Sequence, residues 1–135
     1  MRLRNRDGFT LVELLVVIVV LGIIALIAMP RFLEARDRAS VTSAVADVDH
    51  FRKALAVYEV DYGTFPASNF GSVAGIAGAL VDPSGNDYMI LPDGQNFTAF
   101  TYTPINNGES YQIEVTATDH RSTPVTADPM GTAVQ

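Results

Sequence analysis

Between Leu14 and Met29 the chain carries sixteen consecutive uncharged, almost wholly apolar residues, broken only by Gly22 and closed by Pro30. With Phe9 to Glu13 in front of it, the run is long enough to span a bilayer as a helix, because about 20 residues at about 1.5 Å each cover the hydrocarbon thickness. Only a helix satisfies its backbone polar groups internally in that setting. Three arginines (Arg2, Arg4, Arg6) precede the run, and the sequence after residue 30 is much more polar. The arginines on one side and the acidic remainder on the other predict an orientation with the N-terminus inside and the C-terminal part outside. A secretory signal needs a small-x-small site after its apolar core. The nearest candidate, Leu26-Ile27-Ala28, begins with a bulky residue and is followed at once by Pro30. The run therefore reads as an anchor.

Glu13 is the residue that a plain anchor does not explain. A carboxylate near the helix centre in a bilayer costs about 2.5–3.5 kcal/mol, less near the interface. It is either hydrated at headgroup level or paired. A cut after Gly8 would free the amine of Phe9, a cation four residues before Glu13, and one chain's amine could then meet a neighbour's Glu13. A buried pair of this kind fixes register more surely than it adds stability.

After Pro30, which crowds the carbonyl of Leu26 and predicts a local loosening, the helical pattern resumes. Val41, Ala44, Val45, Val48, Phe51, Leu55 and Tyr58 recur at steps of three and four, with charged residues between them. A helix from Phe9 to about Asp61 would be about 80 Å long. Gly63 and Pro66 in Asp61-Tyr62-Gly63-Thr64-Phe65-Pro66 stop it. Residues 67–80 read as a loop with a short helix near Ser72–Leu80, and Asp82–Asp87 as a turn. Tyr88–Leu91 reads as a short strand. Phe97–Thr103 and residues 110–118 read as a hairpin joined by Asn106-Asn107-Gly108. The tail, 119–135, holds Pro124, Pro129 and Gly131 and reads as irregular. The expected class is α+β: one long helix, apolar then amphipathic, packed on a small antiparallel sheet. The parts are residues 1–8, 9–30, 31–62 and 63–135.

Charge and composition narrow the functions. The formal charge is −6; residues 2–7 contribute +2, so the rest carries −8. Residues 61–135 hold eight acids and one base, Arg121, which disfavours nucleic acid as a partner. There is no cysteine, which removes disulfides, thiol catalysis and thiolate metal sites. His50 and His120 have no evident partner, and no acid–base, nucleophilic or metal constellation emerges, so an enzyme is not expected. The glycine-rich Gly71–Gly78 stretch is followed by no Lys-Ser or Lys-Thr and reads as a connector. Asp82, Ser84, Asn86 and Asp87 offer oxygens that could take calcium, but the spacing is not that of an EF-hand and a plain turn is the simpler reading. Asn96-Phe97-Thr98 fits a glycosylation sequon. No cofactor is expected.

Gly8-Phe9-Thr10-Leu11-Val12-Glu13-Leu14, followed by the apolar run with Gly22 and Pro30, resembles the N-terminal signature of type IV pilins and type II secretion pseudopilins. Tyr58–Pro66 is similar, more loosely, to the helix exit of many pseudopilins and short pilins. The resemblance implies a prepilin leader at 1–8, cleavage between Gly8 and Phe9 by a membrane-embedded prepilin peptidase, and N-methylation of Phe9. It implies that Glu13 serves subunit recruitment and register, and that the helices form a filament core which often loses helical form between Gly22 and Pro30. The implied partners are other pilin subunits, including minor ones, and an inner-membrane assembly platform with an ATPase. The implied location is the inner membrane before assembly, with a cytoplasmic N-terminus and a periplasmic C-terminal part, and then a periplasmic or extracellular filament. On these grounds the first reading is a type IV pilus subunit, ahead of a type II secretion pseudopilin, whose usual C-terminal Trp-Gly pair is missing here. A single-pass anchored binding module is the alternative of another class. Asp7 departs from the leader pattern, where a basic or neutral residue is usual.

Overall fold

A computed structural model describes residues 9–89 and 96–135. The chain forms two compact units that divide between Ala35 and Arg36. One helix, α1, runs Leu11–Tyr62, 52 residues, and enters both. It starts and stops within two residues of the expected limits. It also continues through Pro30, so the missing N–H does not interrupt it.

From Leu14 to Met29 the helix is apolar on every side, and no described residue covers it. In the second unit the spacing of three and four takes over. Ala44, Val48, Phe51, Ala54 and Leu55 are buried, with Val41, Val45 and Tyr58 packed against the same core. Gly63 ends the helix in the left-handed conformation (φ +75°), and its N–H donates to Glu59 O at 2.7 Å. Ser72 then caps a short helix, α2 (Val73–Ala79), by accepting from Gly75 N at 3.2 Å.

The sheet has four antiparallel strands in sequence order: β1 (Phe97–Ile105), β2 (Ser110–Ala117), β3 (Pro124–Ala127) and β4 (Thr132–Val134). The β1–β2 hairpin forms as expected, and the three turn residues Asn106, Asn107 and Gly108 all take positive φ (50°, 58° and 95°). Alternation along β2 buries Tyr111, Ile113, Val115 and Ala117. These residues join the stripe of α1 in one core, where Phe51 meets Phe100 at 5.1 Å and Phe65 meets Tyr111 edge-on at 4.7 Å between ring centres.

Two expectations fail. The tail is not irregular: residues 124–127 and 132–134 are β3 and β4. Pro124 opens β3 and Gly131 lies in the turn, so neither interrupts a ladder, and Val125 and Ala127 reach the core. The second failure is the strand at Tyr88–Leu91. Tyr88 and Met89 form none, Tyr88 N instead donating to Leu80 O at 2.9 Å; Ile90 and Leu91 lie outside the described residues. The bridge in this region pairs Val81 with Asp87.

Candidate functional site: the apolar helix and its cap

Phe9, Leu11, Leu26 and Phe32 are 70–80% exposed, and no residue from Phe9 to Arg36 is buried or half-buried. Soluble monomers rarely expose more than a few hundred Å² of contiguous apolar surface. This helix is long and apolar enough to cross a membrane, and its most apolar window is wholly uncovered by the described residues. A Cβ at Gly22 would meet nothing within 4 Å, so packing inside the chain does not require glycine there.

At the start of the helix, Thr10 and Glu13 satisfy each other. Thr10 N and Thr10 Oγ1 both donate to Glu13 Oε2, at 2.9 and 2.8 Å, and Glu13 N donates to Thr10 Oγ1 at 3.2 Å. Leu14 N donates to Thr10 O at 3.2 Å, the first bond of the helix. This is a capping box: two of the orphan donors at a helix start are paired by side chains. Glu13 therefore has work within its own chain, besides any pairing with a neighbour. The Thr-x-x-Glu spacing before an apolar run signals it in the sequence. The negative charge also complements the helix N-terminus. Gly8 lies outside the described residues; Phe9 is exposed just before the cap.

The other candidates are placed as follows. Asp82 Oδ1 accepts from Ser84 N and Asn86 N, both at 2.8 Å, and its Oδ2 from Asn86 Nδ2 at 2.9 Å. These bonds tie the turn to itself and hold the Asp82 carboxyl below its ordinary range, the Asn86 side chain contributing most. Among the described residues no three His, Asp or Glu side chains gather as a metal would require. The sequon's Asn96 Nδ2, the atom that glycosylation would modify, donates to Asp47 Oδ2 at 2.9 Å. His50 is exposed on α1. His120, without an evident partner in the sequence, has one in the fold: its ring Nδ1 meets Asp37 Oδ2, and its N–H donates to Asp37 Oδ1 at 3.3 Å.

Comparison with known proteins bears on the same features. Residues 3–29 match the family model of the prokaryotic N-terminal methylation motif. The chain is similar to type II secretion system core protein G of Klebsiella michiganensis, at 30% identity over 97% of this chain and 95% of the relative. It is similar to core protein G of Vibrio cholerae at 31% identity, over 76% of this chain and 82% of that protein. The chain belongs to the type IV pilin and pseudopilin family. Its likeness extends to the type IV wide pilus major component PilA4 of Thermus thermophilus, 28% identical over 90% of this chain and all of the relative. An uncovered apolar helix is what a pilin-family subunit requires, since such subunits assemble into filaments. The relatives' names are those of secretion-system and pilus components, in keeping with a structural rather than an enzymatic subunit.

Proposed function

We propose that this chain is a pseudopilin: the subunit of a short filament in a type II secretion system, made as an inner-membrane precursor. The observation that carries this reading is the alignment with core protein G along almost the whole chain, outer domain included. It reverses the order suggested by the missing Trp-Gly pair, which ranked a type IV pilus subunit first. That pilus reading stands second, supported by the full-length likeness to a wide-pilus component.

In this mechanism Arg2, Arg4 and Arg6 hold the leader on the cytoplasmic side. Prepilin peptidase cuts between Gly8 and Phe9, and Phe9 is N-methylated. Burial of residues 9–30 holds the precursor in the bilayer, and the same surface later joins subunits. Lipid contacts are exchanged for protein contacts, so the net gain is small and a single polar pair can bias it. Glu13 supplies that bias by meeting the Phe9 amine of a neighbour. Gly22 and Pro30 are points where the helix can loosen during packing. An assembly platform with an external motor drives the exchange.

Two measurements test this. Mass spectrometry of the mature chain should find methylated Phe9 as its first residue; an intact leader would leave only a permanent anchor. Deleting the gene should abolish export of secreted proteins and leave surface pili intact. The opposite pair of phenotypes selects the pilus subunit. Glu13→Ala should insert and be cut but assemble poorly beside wild-type subunits; normal filaments from the variant alone would sink the register role.

A further inference from the structure

Asn107 is the one asparagine in the sequence that a glycine follows. The side-chain amide of an asparagine is open to attack by the main-chain nitrogen of the next residue. A following glycine, which has no Cβ, leaves that nitrogen unshielded and its backbone free to turn. The other asparagines among the described residues precede bulkier side chains. Two of them are also tied down: Asn86 Nδ2 donates to Asp82 Oδ2 and Asn96 Nδ2 to Asp47 Oδ2, both at 2.9 Å. Asn107 is exposed at the tip of the hairpin that joins β1 to β2.

The folded turn holds the reacting atoms apart. Closing a ring between Asn107 Cγ and Gly108 N requires that nitrogen and the Asn107 Cβ to lie on the same side of the Cα–C bond. Asn107 has φ 58° and ψ 35°, which puts them on opposite sides. The peptide plane between the two residues must therefore turn over before the nitrogen can reach the amide.

The product has no room. Gly108 is buried, its carbonyl accepts from Phe65 N at 2.9 Å, and a Cβ on it would stand 2.5 Å from Phe65 O. An isoaspartate at 107 routes the main chain through its Cβ and Cγ. The turn then gains an atom immediately before the glycine that abuts the helix exit. An ordinary aspartate leaves the length of the turn unchanged.

We infer that Asn107 is a site of spontaneous isoaspartate formation, guarded by the conformation of its own turn, and that modification there unfastens the hairpin from Phe65. In the first step Gly108 N bonds to Asn107 Cγ, the Cγ–Nδ2 bond breaks, and ammonia leaves with the proton that Gly108 N gives up. Water then opens the cyclic imide. Addition at Cγ yields aspartate, and addition at the main-chain carbonyl yields isoaspartate. Solvent water is the sole co-reactant. All of these residues belong to the second unit, and none of this needs the filament reading.

The test incubates the full chain in detergent beside a synthetic peptide copying residues 104–110, both at neutral pH. Peptide mapping by mass measures deamidated Asn107, and labelling by an isoaspartyl methyltransferase measures isoaspartate. The mass gain separates this site from Asp7 and Asp93, which glycine also follows and which isomerise without one. Deamidation should be at least about tenfold slower in the folded chain than in the peptide. Asn107→Gln should abolish the labelling at this position. The isoaspartate fraction should melt about 5–10 °C below its parent, with the Phe65 amide exchanging about tenfold faster. Asn107→Asp, which adds the charge without the extra atom, should melt with the parent. Equal rates in chain and peptide would overturn the guard, and a peptide that gains no mass at Asn107 would overturn the site itself. An isoaspartate fraction whose Phe65 amide stays protected would overturn the unfastening, as would an Asn107→Asp variant that loses as much stability.

Discussion

The carbonyl oxygen of Phe65 lies 2.5 Å from where a Cβ on Gly108 would stand, while Phe65 N donates to Gly108 O at 2.9 Å. Gly108 also has φ +95°, which side-chain-bearing residues rarely adopt. The exit of the long helix and the hairpin turn are thus locked together through a backbone that has room only for glycine. Gly108→Ala should destabilise the outer domain by about 2–3 kcal/mol, from strain and the clash together. Thermal unfolding in detergent checks it, and an unchanged midpoint would contradict the lock.

Tyr102 is buried, and its hydroxyl donates to Pro66 O at 2.9 Å. Burial pushes its pKa up, so it stays a donor at any physiological pH. Tyr102→Phe keeps the ring but strands a buried carbonyl, a loss of about 1–2 kcal/mol. Chemical denaturation should show that loss with an unchanged dependence on denaturant.

Arg52 holds the tail. Its Nε donates to Asp128 O at 2.9 Å and its Nη2 to Pro129 O at 3.3 Å, while Nη1 meets Asp49 at 3.1 Å. Asp49 in turn accepts from Thr132 Oγ1 at 2.7 Å. Arg52→Ala should cost about 1–2 kcal/mol. Hydrogen exchange should rise in residues 124–134 far more than in 97–117.

Acid should weaken the outer domain through Asp49 and Asp119. The hydrogen bond from Thr132 holds the Asp49 carboxyl below its ordinary value, and those from Thr123 do the same for Asp119. Depressed carboxyls make the unfolded chain bind more protons than the folded one. Their contribution is therefore complete above the unfolded value of about 3.9 and is lost as pH falls through the lowered folded values. Melting temperatures from pH 7 to 2 should stay level to about pH 4.5 and then drop, and Asp119→Asn should flatten the drop.

Local signals carried most of this fold. The apolar run, the stripe from Val41 to Tyr58, the glycine at 63 and the Asn-Asn-Gly turn each imply their own structure, and each is found. The tail escaped because its strands are held from far away. Arg52 and Asp49 lie more than seventy-five residues before their partners, and Pro124 and Gly131 read as breakers when they only mark strand ends. His120 was opaque for the same reason, its partner Asp37 being distant in sequence. At Glu13 the obstacle was different. The cost of a carboxylate in lipid points outward to a partner chain, whereas the Thr10 hydroxyl three residues back shares the load within the same helix.

That pair, Thr10 and Glu13, has a consequence for processing. Both residues lie on the far side of the proposed cut from the leader, and among the described residues the side-chain bonds of the cap are made between them. The proposed cut would leave Thr10 and Glu13 themselves in place. Under the proposed cut the released subunit would keep this cap, so maturation would change what the chain can join while leaving the Thr10–Glu13 bonds in place.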